Sequence, residues 1–149
     1  MNLDAKGKEF LHNEERLRLK AYQDQIGKWT IAFGNTYMLD GSPVKEGDEL
    51  TMAQANQLFA VKIKDYEATV NKGVKVALTQ NQFNALVSLC YNIGTSAFSN
   101  STLLKKVNAK APAEEIEAQF NLWKKGGGKV LPVLVARRKR EFKLFQTIK

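Results

Sequence analysis

Two carboxylates and a hydroxyl, Glu15, Asp24 and Thr30, fall within one short stretch of the chain. Carboxylates on opposite sides of a sugar ring are what glycoside hydrolysis needs: one, kept protonated, gives its proton to the leaving oxygen, and the other activates water or attacks the anomeric carbon. Residues 21–34 (AYQDQIGKWTIAFG) combine aromatic and β-branched side chains with a central Gly27, a hairpin signal. Gly27 at the centre sets Asp24 and Thr30 three residues to either side and therefore opposite one another, with Cα atoms about 4.5–5.5 Å apart. Such a pair could hold one water, faced by Glu15 from the end of the preceding helix. On spacing alone, solvated helix and turn residues are the competing reading.

The supply of other reactive side chains narrows the field. One His and one Cys cannot assemble a zinc site that needs several of either. A nucleophilic triad would have to use His12, which reads as a surface residue on the polar side of its helix. Cys90 continues the apolar stripe Phe83-Leu86-Val87 and reads as a small buried hydrophobe. A single Cys forms no internal disulfide, so folding demands no oxidising compartment. At 149 residues, with 44% hydrophobic and 26% charged side chains, the chain has the makings of one globular domain.

The expected elements form an α+β arrangement, mostly α, with one small antiparallel piece near the N-terminus. A short helix runs from about Asp4 to Glu15. From Thr51 the apolar period is helical: Thr51 and Gln54 fit a capping box, and Met52, Ala55, Leu58, Phe59, Ile63, Tyr66 and Val70 make one stripe. That helix, about 51–72, would join a hairpin lobe at about 15–55 to a larger helical lobe at 73–149. Thr79 and Gln82 repeat the capping signature. Further helices are expected at 102–109, at 113–124 after Pro112, and at 133–147 after the run Gly126-Gly127-Gly128 and Pro132. No run reaches the roughly 20 apolar residues of a membrane span, and the opening residues lack the apolar region of a secretory signal.

The segment Glu15-Arg-Leu-Arg-Leu-Lys-Ala-Tyr-Gln-Asp24-Gln-Ile-Gly-Lys-Trp-Thr30-Ile31 closely resembles the catalytic segment of phage-type lysozymes, glycoside hydrolase family 24. The likeness continues through Gln82–Ser88, Tyr91-Asn92-Ile93-Gly94, Ala97-Phe98 and Ser101–Lys105 to Trp123, the glycine run and Arg137-Arg138. It implies a lysozyme-like fold and a peptidoglycan muramidase with Glu15 as general acid, Asp24 orienting or deprotonating water, and Thr30 helping to hold that water. It also implies saccharide contacts at Gly34, Thr36, Tyr91, Asn92 and Ser101, although Gly34 reads equally as a turn, Tyr91 as a core aromatic and Ser101 as a helix cap. No metal or organic cofactor is implied. The expected protein is a monomeric endolysin, held in the host cytoplasm until a holin admits it to the peptidoglycan. Lytic transglycosylation and a non-enzymatic, membrane-active antibacterial role are the alternatives. The family commonly has Gly after the catalytic Glu, where this chain has Arg16, and Thr-Ile-Gly-Tyr-Gly-His-Thr where it has Thr30-Ile31-Ala32-Phe33-Gly34-Asn35-Thr36. Asn35 removes an imidazole able to pair with an acid. If Glu15 is the acid, burial or negative charge must keep it protonated, whereas Arg16, Arg18 and Lys20 would act against this if they pointed inward.

The formal charge of +8 is lopsided. Residues 124–149 hold nine basic side chains against one acid, Glu141, leaving fourteen of each sign in 1–123. The basic segment is expected to steer the enzyme to an anionic envelope as a solvated helix, ahead of membrane insertion or nucleic-acid binding.

Overall fold

The computed structural model describes residues 1–148; Lys149, part of the basic segment, lies outside them. Helix α1 (Ala5–Glu15) starts where Asp4 accepts the Gly7 N–H on its side chain and the Lys8 N–H on its carbonyl, which satisfies donors that every helix start leaves open. Strands β1 (Arg18–Gln23) and β2 (Trp29–Ala32) follow, then α2 (Met52–Gly73), α3 (Gln80–Ile93), α4 (Thr95–Ser99), α5 (Thr102–Asn108), α6 (Ala113–Asn121), the two-residue strands β3 (Lys125–Gly126) and β4 (Lys129–Val130), and α7 (Pro132–Gln146). Both expected capping boxes form. Thr51 and Gln54 exchange side-chain and backbone hydrogen bonds, as do Thr79 and Gln82.

The chain divides into two compact units, one of residues 9–65 and one of residues 1–8 with everything from Tyr66 onward. In the first, which carries the hairpin, Leu11, Ile31, Phe33, Val44, Leu58 and Phe59 are buried. In the second, α3 is buried on every side, from Phe83 to Tyr91 without a break, the pattern of a central helix rather than a surface one. It packs on α7. Phe120 of α6 meets Phe142 and Phe145 of α7 edge to face. Cys90 is fully buried, and that burial pushes its thiol up to about 12.

Three features escaped the sequence reading. Helix α4 is one short turn. Helix α6 stops at Asn121 rather than continuing to 124. The glycine run, read as a simple break, forms the β3–β4 hairpin: Gly127 and Gly128 both take positive φ, which its two-residue turn demands.

Candidate active site

Glu15 is the last residue of α1. The helix ends there because Arg16 turns left-handed, φ 54°, while its N–H still reaches the His12 carbonyl, the geometry that usually selects glycine. The half-buried Glu15 side chain then lies against Gly34, its Oε1 3.2 Å from where a Cβ on that glycine would stand.

Asp24 closes the hairpin loop. Its Oδ1 accepts the N–H groups of Ile26 and Lys28, and its carbonyl accepts the Gly27 N–H. Gly27 sits at the left-handed third position of a three-residue loop, φ 83°, and not at its centre. The register is therefore Tyr22 opposite Thr30 and Gln23 opposite Trp29. This corrects the expectation that Asp24 directly opposes Thr30. Asp24 opposes Lys28, whose N–H it accepts and whose carbonyl in turn accepts the buried Thr30 hydroxyl. Lys28 thus links the two by backbone hydrogen bonds. Tyr22, which the sequence reading passed over, stands beside the group. Burial raises its phenol, Arg18 opposes that, and Glu15 and Asp24 both add to it.

A second tight turn follows at once. Ile31 and Asn35 exchange both backbone hydrogen bonds, and the Asn35 Oδ1 accepts the Phe33 N–H. Ala32 at φ 59° and Gly34 at φ 80° make the reversal. The Phe33 ring it presents stacks on His12 at 4.2 Å, and His12 meets Phe59 edge-on. His12 is therefore a half-buried member of an aromatic cluster and not a free surface residue. Polar neighbours in the sequence concealed this, because the apolar contact comes from the turn and from α2. Two of the cations near Glu15 in sequence have contacts of their own: Arg18 lies over the Tyr22 ring and Lys20 bridges to Glu49. A different one is present. Lys62 of α2 donates to the Gly34 carbonyl at 2.9 Å.

The other candidates belong to the second unit. Ser101 caps α5, its hydroxyl accepting the Leu104 N–H and donating to the Phe98 carbonyl. Tyr91 is buried with its ring against Tyr66. Asn92 is exposed, and its Oδ1 accepts from Arg138, which also donates to the Trp123 carbonyl. Arg137 and Arg138 both pair with Glu141, and the Ser88 hydroxyl donates to it. Burial pushes the Glu141 carboxyl up, against the pull of Arg138, Arg137 and Ser88. The basic segment is thus no simple solvated helix: its twin arginines are core.

A family model described as phage lysozyme matches residues 12–141. The chain belongs to the phage lysozyme family. It is 40% identical to an endolysin of Acyrthosiphon pisum secondary endosymbiont phage 1, over 99% of both chains, and 41% identical to an endolysin of Salmonella phage P22, over 97% of this chain and 98% of that one. The solved structure of an endolysin from Escherichia coli O157:H7 phage FAHEc1 superposes with a TM-score of 0.90 at 37% identity, covering 98% of this chain and 94% of that one. This chain is accordingly a phage lysozyme-type glycosidase whose substrate is peptidoglycan. Two departures from the family pattern now have a structural meaning. Arg16 and Ala32, the two that replace an expected glycine, both take the left-handed backbone that glycine adopts at least cost.

Proposed function

We propose that this phage lysozyme is an endolysin muramidase in which Glu15 is the general acid, Asp24 the group that orients or deprotonates the attacking water, and Thr30 a support for that water. In one displacement the bond between the anomeric carbon of N-acetylmuramic acid and the bridging oxygen breaks, and that oxygen takes the Glu15 proton. The water oxygen bonds to the same carbon from the opposite side and gives its proton to Asp24. Return of a proton from solvent to Glu15 and loss of one from Asp24 restore the enzyme.

The observation that carries this reading is the grouping of the three side chains in one compact unit. Glu15 is held at a helix end over Gly34, and Asp24 is joined to Thr30 through Lys28. Among the saccharide contacts, we assign Gly34, Thr36 and Asn92 to direct contact. With its Oδ1 held by Arg138, Asn92 has its amide N–H groups to offer a sugar. Ser101 and Tyr91 are committed to a helix cap and to a buried ring pair. The route to substrate belongs to the same proposal: retention in the host cytoplasm until a holin-type protein opens the membrane, which fractionation of expressing cells with and without that protein would check.

Glu15→Gln should cut the release of reducing ends from purified peptidoglycan by at least about a hundredfold with an unchanged melting temperature, and Glu14→Gln should not. Mass spectrometry of the products should find water added and no anhydromuramic ends. Full activity in Glu15→Gln, or anhydro products, would overturn the assignment.

A further inference from the structure

Two helices present matching faces to the 31–35 turn. On α1, His12 and Glu15 are three residues apart and share one side; on α2, Phe59 and Lys62 do the same. His12 and Phe59 meet each other and Phe33. Glu15 and Lys62 converge on the next residue, Gly34: one carboxyl oxygen packs against it and the ammonium donates to its carbonyl. The lysine stem lies between buried Phe59 and Ile63 in the sequence of α2, and removal of the ammonium from water pushes its pKa below the ordinary lysine value, with the Glu15 charge pulling it back. Taking an ammonium out of water is unfavourable unless partners compensate. Here the Gly34 carbonyl accepts from it and the charge of the proposed acid acts on it.

We infer that Lys62 is the positioning residue of the general acid: its ammonium, fixed on the Gly34 carbonyl, aims the Glu15 carboxyl and balances the charge that carboxyl acquires on giving up its proton. The inference rests on Glu15 being the acid. A cation set in place beforehand favours the transition state, in which negative charge grows on Glu15, without reorganising at the moment of reaction. Four described groups on neighbouring elements are engaged in other contacts or carry no positive charge. His12 is stacked in the aromatic cluster, Tyr22 is a neutral phenol near both carboxylates, Arg18 is held over the Tyr22 ring, and Asn35, where relatives have an imidazole, is spent on the Phe33 N–H.

The test is the pH–rate profile of the full chain on purified peptidoglycan, for the wild type, Lys62→Met and Lys62→Arg. Lys62→Met keeps an unbranched apolar stem and removes the charge. Its alkaline limb should move up, since removing a nearby positive charge favours a protonated carboxyl. Its kcat should fall about tenfold with KM nearly unchanged, as expected for an interaction made in the transition state. Lys62→Arg should return the limb towards the wild-type position. A folded Lys62→Met enzyme whose profile superimposes on the wild type overturns the inference. A measurement on the unaltered side chain guards against a variant that does not fold: the Lys62 Cε resonance of the wild type should inflect at the pH where the Glu15 carboxyl carbon titrates, and should lose that inflection in Glu15→Gln. Absence of the inflection in the wild type is equally fatal. Failure of the acid assignment is separable, because there Glu15→Gln itself retains activity.

Discussion

Asp24 has two tasks that chemistry can separate. One is electrostatic, the negative charge proposed to act on water. The other is architectural, since Oδ1 accepts two backbone N–H groups and closes the hairpin loop. Asp24→Asn keeps an oxygen in the same place and removes the charge. It should lower kcat by about 10²–10⁴-fold while changing stability by no more than about 0.5 kcal/mol. Asp24→Ala removes both functions and should lose about 1 kcal/mol or more in addition, the usual net worth of hydrogen bonds that a turn depends on. Steady-state kinetics with urea denaturation of both variants checks this. If Asp24→Asn turns over like the wild type, the proposed base is wrong, whatever becomes of the loop.

Arg16 and Ala32 decide how two elements end. Arg16 stops α1 directly after Glu15, and Ala32 begins the reversal that brings Gly34 beneath it. A left-handed conformation costs an L-residue with a Cβ roughly 1–2 kcal/mol, and glycine returns part of that gain through its freer unfolded state. Arg16→Gly and Ala32→Gly should therefore each stabilise the fold by about 0.5–1 kcal/mol, read as a rise in thermal midpoint, with Glu15-dependent activity retained. A fall in midpoint for both would mean that the two side chains contribute packing worth more than the strain. Such residues also mark the limit of what could be read from the chain beforehand. The helices, their capping boxes at Thr51 and Thr79 and the existence of the hairpin were legible, because caps and period are local signals. The register was not, since a glycine can occupy the centre or the last position of a loop and only the Asp24 hydrogen bonds choose between them. Lys62 was equally hidden: lysine on a helix reads as solvated until a turn twenty-eight residues away supplies its carbonyl.

For the whole molecule the question is what the charge of +8 does. The formal count places all of it in residues 124–149, yet Arg137 and Arg138 are buried on Glu141 and cannot act at a distance as free surface charges. Lys125, Lys129, Lys139 and Lys143 are exposed, and we propose that these carry the attraction to an anionic envelope. Removing one partner from a buried ion network leaves an uncompensated charge and costs about 3–5 kcal/mol, so Glu141→Gln should lower the melting temperature and weaken action on every substrate alike. Replacing the four exposed lysines with Gln should leave the melting temperature nearly unchanged. It should slow attack on whole envelopes at low salt more than cleavage of short soluble fragments, and the difference should vanish as added salt brings the screening length from about 30 Å at 0.01 M towards about 8 Å at 0.15 M. Turbidity clearance and fragment hydrolysis, measured side by side across that salt range, decide the matter. Equal losses on both substrates at every salt concentration would remove long-range steering as the role of the exposed lysines.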